Sequence, residues 1–225
     1  MSALIDRNRL PAACGSSPKC VLKSSSVMSG VSNTAGNSAI LRVIVTGGPG
    51  AGKTTLLQAL QARGYTVVGD SARTIIQDRR RRGLNPRPDA YEFAHETLRM
   101  DIESFVHHAA APGYVFFERS VLDALCGLDR VAPLNESELN MWLPKYQYCS
   151  KVFLLPPWKA IYVNDDERDH TFEHAESVYR TIQGWYRRLD RYQVIEVPKV
   201  SVEERCTYVL QTLANSDRHG LGGAR

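Results

Sequence analysis

Apolar residues fall in short continuous runs that alternate with stretches of helical spacing. "ILRVIVT" (Ile40 to Thr46), "YTVVG", "YVFFE" (Tyr114 to Glu118), "KVFLL" and "QVIEV" are rich in Val, Ile, Phe and Tyr and read as buried strands. Between them lie helical faces. Leu56, Leu57 and Leu60 mark one, ended by Gly64, and Ile75 and Ile76 mark a second over Ala72 to Arg82. Ala94, Leu98, Ile102 and Phe105 mark a third, opened by Asp89 with Glu92 three residues on. A short helix is predicted from Val121 to Leu128, and another from Asn135, with Glu138 three residues later. Phe172, Ala175, Val178, Tyr179, Ile182 and Tyr186 line a long one. Ser201 and Glu204 open the last, whose apolar residues are Val202, Val209, Leu210 and Leu213. Strands alternating with helices predict an α/β domain with a parallel sheet covered on both faces.

The ends are different. Residues 1–39 are rich in Ser, Gly, Ala and Asn and lack periodic apolar positions, so they read as a disordered leader. Its bases Arg7, Arg9, Lys19 and Lys23 face one acid, Asp6, which leaves a transit peptide open. Residues 40–214 form the domain and 215–225 a frayed tail. A polar stretch near Asn164–Thr171 reads as a lid-like insertion.

Length and composition fit this organisation. The chain has 225 residues, 43% hydrophobic and 23% charged, with a formal charge of +4. That suits an anionic ligand but is too mild to point to nucleic acid. The run Arg79 to Arg82 reads as the solvated end of a helix. Five scattered cysteines, Cys14, Cys20, Cys126, Cys149 and Cys206, form neither a disulfide framework nor a zinc pattern, so a reducing, cytoplasmic setting is expected. No apolar run approaches the roughly 20 residues that span a bilayer.

The chemistry is concentrated after the first strand. Residues Gly47, Gly48, Pro49, Gly50, Ala51, Gly52, Lys53 and Thr54 match G-x-x-x-x-G-K-[ST], with a strand before and a helix after. The glycines let backbone N–H groups converge on phosphate oxygens, and Lys53 can neutralise the outer phosphates. Thr54 can offer its hydroxyl to Mg²⁺, and the helix start, with Thr55, adds positive potential. The expected fold is therefore a P-loop NTPase, a three-layer α/β/α sandwich on a mostly parallel five-stranded sheet. "KVFLL" runs into "PPWKA" rather than a guanine-reading N/T-K-x-D, so ATP is expected over GTP.

Glu118, Arg119 and Ser120 stand where a strand ends, and ligands of open α/β sheets gather there. The tripeptide resembles the E-R-S of deoxynucleoside kinases and the D-R of thymidylate kinases. Asp70-Ser71-Ala72-Arg73, Glu118-Arg119-Ser120 with Asp123, and Leu155-Pro156-Pro157-Trp158 also resemble small AAA-domain P-loop proteins. That family is a group of ATPases related to the nicotinamide riboside kinase domain. The resemblance covers roughly Leu41 to Leu213. Glu118 stands where that family has aspartate, and Ser120 where it has glycine. It implies a kinase-like protein that uses ATP and Mg²⁺, with a small nucleoside- or nucleotide-like acceptor.

Charge then suggests roles. Lys53 and Arg119 are cations for the transferred group, and Arg168 resembles a lid arginine. Asp70 can accept a proton from a substrate hydroxyl; Glu118 can do the same or hold Mg²⁺ with Thr54. Asp70, Arg73 and Asp123 are the candidate acceptor contacts. A nucleotide-dependent switch, or an adaptor for lipid or RNA built on Arg79 to Arg82, stays open beside the kinase.

Overall fold

Parallel strands carry apolar side chains on both faces, because helices cover each side. The computed structural model describes residues 41–162 and 171–220, with backbone alone for the last five. In chain order it has β1 (Leu41–Gly47), α1 (Lys53–Ala62), β2 (Thr66–Val68), α2 (Ser71–Arg81), α3 (Ala90–His107) and β3 (Tyr114–Glu118). There follow α4 (Val121–Val131), α5 (Glu136–Trp142), β4 (Lys151–Leu155), a 3₁₀ turn (Lys159–Ile161), α6 (Phe172–Arg187), β5 (Gln193–Glu196) and α7 (Val202–Gly220).

The five strands are all parallel, in the order β2-β3-β1-β4-β5. One face sets Val43, Val45, Phe116 and Phe153 against Leu56, Leu57 and Leu60 of α1 and Val209 and Leu213 of α7. The other sets Ile44, Val115, Phe117, Val152 and Leu154 against α3, α4 and α6, including Leu98, Leu122, Leu125 and Tyr186. The three-layer expectation holds, with two separate apolar layers.

This order positions the site. From β1 the chain first crosses to one side, reaching β2, and after β3 it crosses back over β1 to β4. Such a reversal leaves a crevice at the carboxyl ends of the strands. Val45 lies opposite Glu118 across the β1–β3 pair, so the end of β3 stands beside the start of the Gly-rich loop. β2 ends level with Phe117, and Asp70 follows two residues later.

Local signals explain most element ends. Asn135 and Glu138 form the expected capping box on α5. Ser201 and Glu204 form the reciprocal pair before α7. Asp89 caps α3 through the amides of Tyr91 and Glu92, but the Glu92 side chain turns to Arg79 instead of closing the box. α7 runs on to Gly220, past residue 214 where the domain was expected to end. No Gly or Pro interrupts the chain before Gly220, so the helical hydrogen bonds continue. The leader and Arg168, with most of the expected insertion, lie outside the described residues. The flanks of that insertion, Tyr162 and Phe172, meet edge to face with ring centroids 5.3 Å apart. Among the described residues no helix is long and apolar enough to cross a membrane, and Cys126 and Cys206 are buried free thiols.

Candidate active site

The Gly-rich loop leaves β1 at Gly47 and enters α1 at Gly52, its N-cap, whose φ of +80° is left-handed. Gly48 is needed for close approach: a Cβ there would lie 2.4 Å from the carbonyl oxygen of Ala175 in α6. The loop is thus wedged between its own helix and the first turn of α6. Lys53 is buried, and its Nζ donates to the carbonyl of Gly48 at 2.9 Å. The ammonium therefore folds back over the cradle that a phosphate chain would fill.

Thr54 and Glu118 meet across the β1–β3 crevice. The Thr54 hydroxyl lies 2.9 Å from Oε1 and 3.0 Å from Oε2 of Glu118. Glu118 is buried. A hydroxyl and a carboxylate side by side next to a phosphate cradle are hard oxygen donors of the kind Mg²⁺ takes, with water and substrate phosphates completing an octahedron. The residues fit the ion. Among the described residues no cluster of three or more His, Cys, Asp or Glu forms a metal cage.

Arg119 is the centre of charge. It is the one non-glycine among the described residues with positive φ, at +67°. Its amide still continues the sheet, donating to Val45 at 2.9 Å. A left-handed arginine costs about 1–3 kcal/mol, and such strain persists where the surroundings fix it. The surroundings here are ionic. One guanidinium nitrogen donates to the carbonyl of Gly47 at 3.1 Å; others lie 3.7 Å from Asp70 and 3.9 Å from Asp123. Burial alone would lower the guanidinium pKa, but Asp70, Asp123, Glu118 and Asp101 together raise it.

Each sequence-predicted acid has a distinct position. Asp70 caps α2 with Oδ1, accepting from the amides of Ala72 and Arg73, and turns Oδ2 toward Arg119. It is both helix cap and site carboxylate. Asp123 lies deeper. Its carboxylate accepts from the hydroxyls of Thr46, Ser120 and Tyr186, and its side chain is 3% exposed. Those hydroxyls come from β1, the cap of α4, and α6. Asp123 thus anchors three elements under Arg119. Arg73 is half-buried in the first turn of α2 beside Asp70.

Sequence reasoning missed Asp101. It is a buried carboxyl on α3 that accepts from the Ser71 hydroxyl. Burial pushes its pKa up to about 7; the Ser71 hydrogen bond opposes this, Asp70 and Asp123 add to it, and Arg119 offsets part. A signal existed. Ala94, Leu98, Asp101 and Phe105 follow a 4-3-4 spacing, which marks the buried stripe of a helix better than Ile102 does. The basic run is also more than a solvated end. Arg79 is 14% exposed and bridges Glu92 and Glu96 of α3 at 2.6 and 2.8 Å, whereas Arg81 and Arg82 lie near Asp78 at the surface.

A family model described as an AAA domain matches residues 42–205. No curated protein matches the chain. Deoxyadenosine kinase from M. mycoides with bound dATP is a structural neighbour, at 12% identity and a TM-score of 0.56. The match covers 77% of this chain and 99% of that one. Thymidylate kinase from Candida albicans is another, at 10% identity and a TM-score of 0.54, covering 80% and 93%. At such identities the likeness is one of fold, that of P-loop kinases.

Proposed function

Since the chain belongs to the AAA-domain family, we propose that it binds Mg-ATP in this crevice and transfers the γ-phosphoryl group to a small hydroxyl-bearing acceptor, nucleoside- or nucleotide-like. The observation that carries the reading is the division of labour between two carboxylates. Glu118 is turned to Thr54, on the metal side of the loop. Asp70, two residues beyond the end of β2, is turned to Arg119. A nucleotide-holding module requires the first pair alone.

In the proposed reaction the acceptor oxygen bonds to the γ-phosphorus, the bond to the β–γ bridging oxygen breaks, and ADP leaves. Asp70 accepts the hydroxyl proton, with its orientation fixed by the α2 amides. Lys53, the amides of Gly50 to Thr55 and Arg119 take up charge that spreads over the phosphoryl oxygens. Mg²⁺, held by Thr54 and through Glu118, would supply further neutralisation of the outer phosphates. Asp123 acts at one remove by holding Arg119. Arg73, in the first turn of α2 beside Asp70, is assigned to the acceptor, and Arg168 to the phosphates as a lid cation.

The test is ATP consumption at fixed Mg²⁺ across a panel of nucleosides, nucleotides and related hydroxyl compounds, with the phosphorylated product identified. Turnover that depends on one class of acceptor supports the kinase; slow hydrolysis indifferent to every acceptor supports a switch instead. With the best acceptor, Arg119→Ala should lower kcat by a factor on the order of 10²–10⁵ and weaken ATP binding much less. Arg119→Lys should recover only part, because a point charge lacks the planar fork. Unchanged turnover in Arg119→Ala removes this residue from the mechanism.

A further inference from the structure

α7 brings a second arginine against the phosphate-binding loop. Arg205 is 4% exposed. Its amide donates to Ser201 at 3.0 Å, but its side-chain Nε has no hydrogen-bond partner, and no described carboxylate forms an ion pair with it. Burial lowers its pKa below the ordinary arginine value, opposed by Cys206 and Glu203. The guanidinium carbon stands 5.7 Å from the ring centroid of Trp158, within range of a cation–π contact. One terminal nitrogen comes within 2.8 Å of the point where a side chain at Gly52 would begin, and Ile161 within 3.1 Å.

This arrangement is costly without an anion. A buried charge lacking a carboxylate partner is strongly disfavoured, and a face of Trp158 offsets only a little of that. The neighbourhood is already positive: Lys53 follows Gly52 directly, and the N-terminal amides of α1 point the same way. The anion that this loop is built to receive is a polyphosphate.

We propose that Arg205 is a nucleotide-positioning cation: from α7, through the Gly52 turn, its charge stabilises the bound polyphosphate, and Trp158 and Ile161 hold it in place. The inference rests on the reading of the loop as an ATP site, and extends it to a residue outside the loop, the strand ends and the insertion. Gly52 follows as a requirement: any side chain there would displace the guanidinium.

The experiment compares wild type with Arg205→Met, Arg205→Gln and Arg205→Lys in the full chain. Nucleotide-free melting temperature is measured first. Dissociation constants for adenosine, ADP and ATP with Mg²⁺ are then measured by calorimetry. Removing a buried unpaired charge should raise the nucleotide-free melting temperature in Arg205→Met. The same variant should bind ATP more weakly by a factor on the order of 10–100, ADP by less and adenosine least, since the loss follows ligand charge. Arg205→Gln should show the same gradient and Arg205→Lys should restore most of the ATP affinity. A packing role predicts a lower melting temperature and an equal loss for all three ligands; either that result or unchanged affinities overturns the proposal while leaving the kinase reading intact. Failure of the wild type itself to bind ATP overturns both.

Discussion

The buried carboxyl of Asp101 gives the molecule a pH dependence. Its carboxyl is pushed up to about 7 by burial, whereas in the unfolded chain it titrates near an ordinary aspartate, about 3.9. The folded state thus binds one more proton than the unfolded state between these values. Stability from this group is complete below about pH 4, declines as pH rises toward 7, and is flat beyond. The slope is at most about 1.4 kcal/mol per pH unit. Asp101→Asn keeps the shape and the contact with Ser71 but cannot ionise, so it should flatten the fall in melting temperature between pH 4 and pH 7. A variant whose profile parallels the wild type would show that Asp101 is not the titrating group. At this scale the sequence was legible where a motif fixed a residue's type and place, as with Lys53, Thr54 and Glu118. It was not legible for Asp101 and Arg205. Each lies on or beside an apolar stripe with other charges close by in sequence, and a charge in such a helix reads first as a solvated position.

Helices and strands were largely legible because their ends are chemically marked. Asp70, Asp89, Ser120, Asn135, Thr171 and Ser201 all precede helices, and the side chain of each accepts from an amide in the first turn. The order of the strands was not legible. Parallel pairing joins residues far apart in sequence, as when Val45 meets Glu118, and alternation alone cannot rank the neighbours. What couples the elements at the site is the set of hydroxyls on Asp123. Tyr186 of α6 is fully buried; its hydroxyl donates to Asp123 at 2.7 Å and lies 3.0 Å from the Ser120 hydroxyl. Tyr186→Phe removes one oxygen and leaves the ring. A hydrogen bond to a buried charged group contributes about 1.5–3 kcal/mol, and the loss should appear in urea unfolding as a lower midpoint with an unchanged slope. Turnover should also fall, because Asp123 would turn toward Arg119 and alter its hold on that guanidinium. A loss below about 0.5 kcal/mol would mean that water replaces the hydroxyl and that α6 is not tied to the loop through this contact.

Across the whole molecule, the proposed nucleotide site is assembled from both sides of the sheet. β1, α1 and α7 shape one side of the loop, while β3, α4 and α6 support Glu118, Arg119 and the Gly48 wedge. A ligand that fills the crevice therefore stabilises the whole domain and not a single loop. If Mg-ATP binds the folded chain only, stability rises by RT ln(1 + [L]/Kd), about 2.7 kcal/mol at a hundred times Kd. For a domain of this size that corresponds to an increase in melting temperature of roughly 5–10 °C. Lys53→Ala tests the source of the shift. Its ammonium donates to the carbonyl of Gly48, a contact that alanine loses at little cost to a fold whose two apolar layers lie elsewhere. The variant should keep the nucleotide-free melting temperature within a few degrees, yet lose nearly all of the Mg-ATP shift. Should Mg-ATP stabilise Lys53→Ala as much as the wild type, the nucleotide would have to sit away from this loop, and the roles given to Thr54, Glu118 and Arg119 would fall with it.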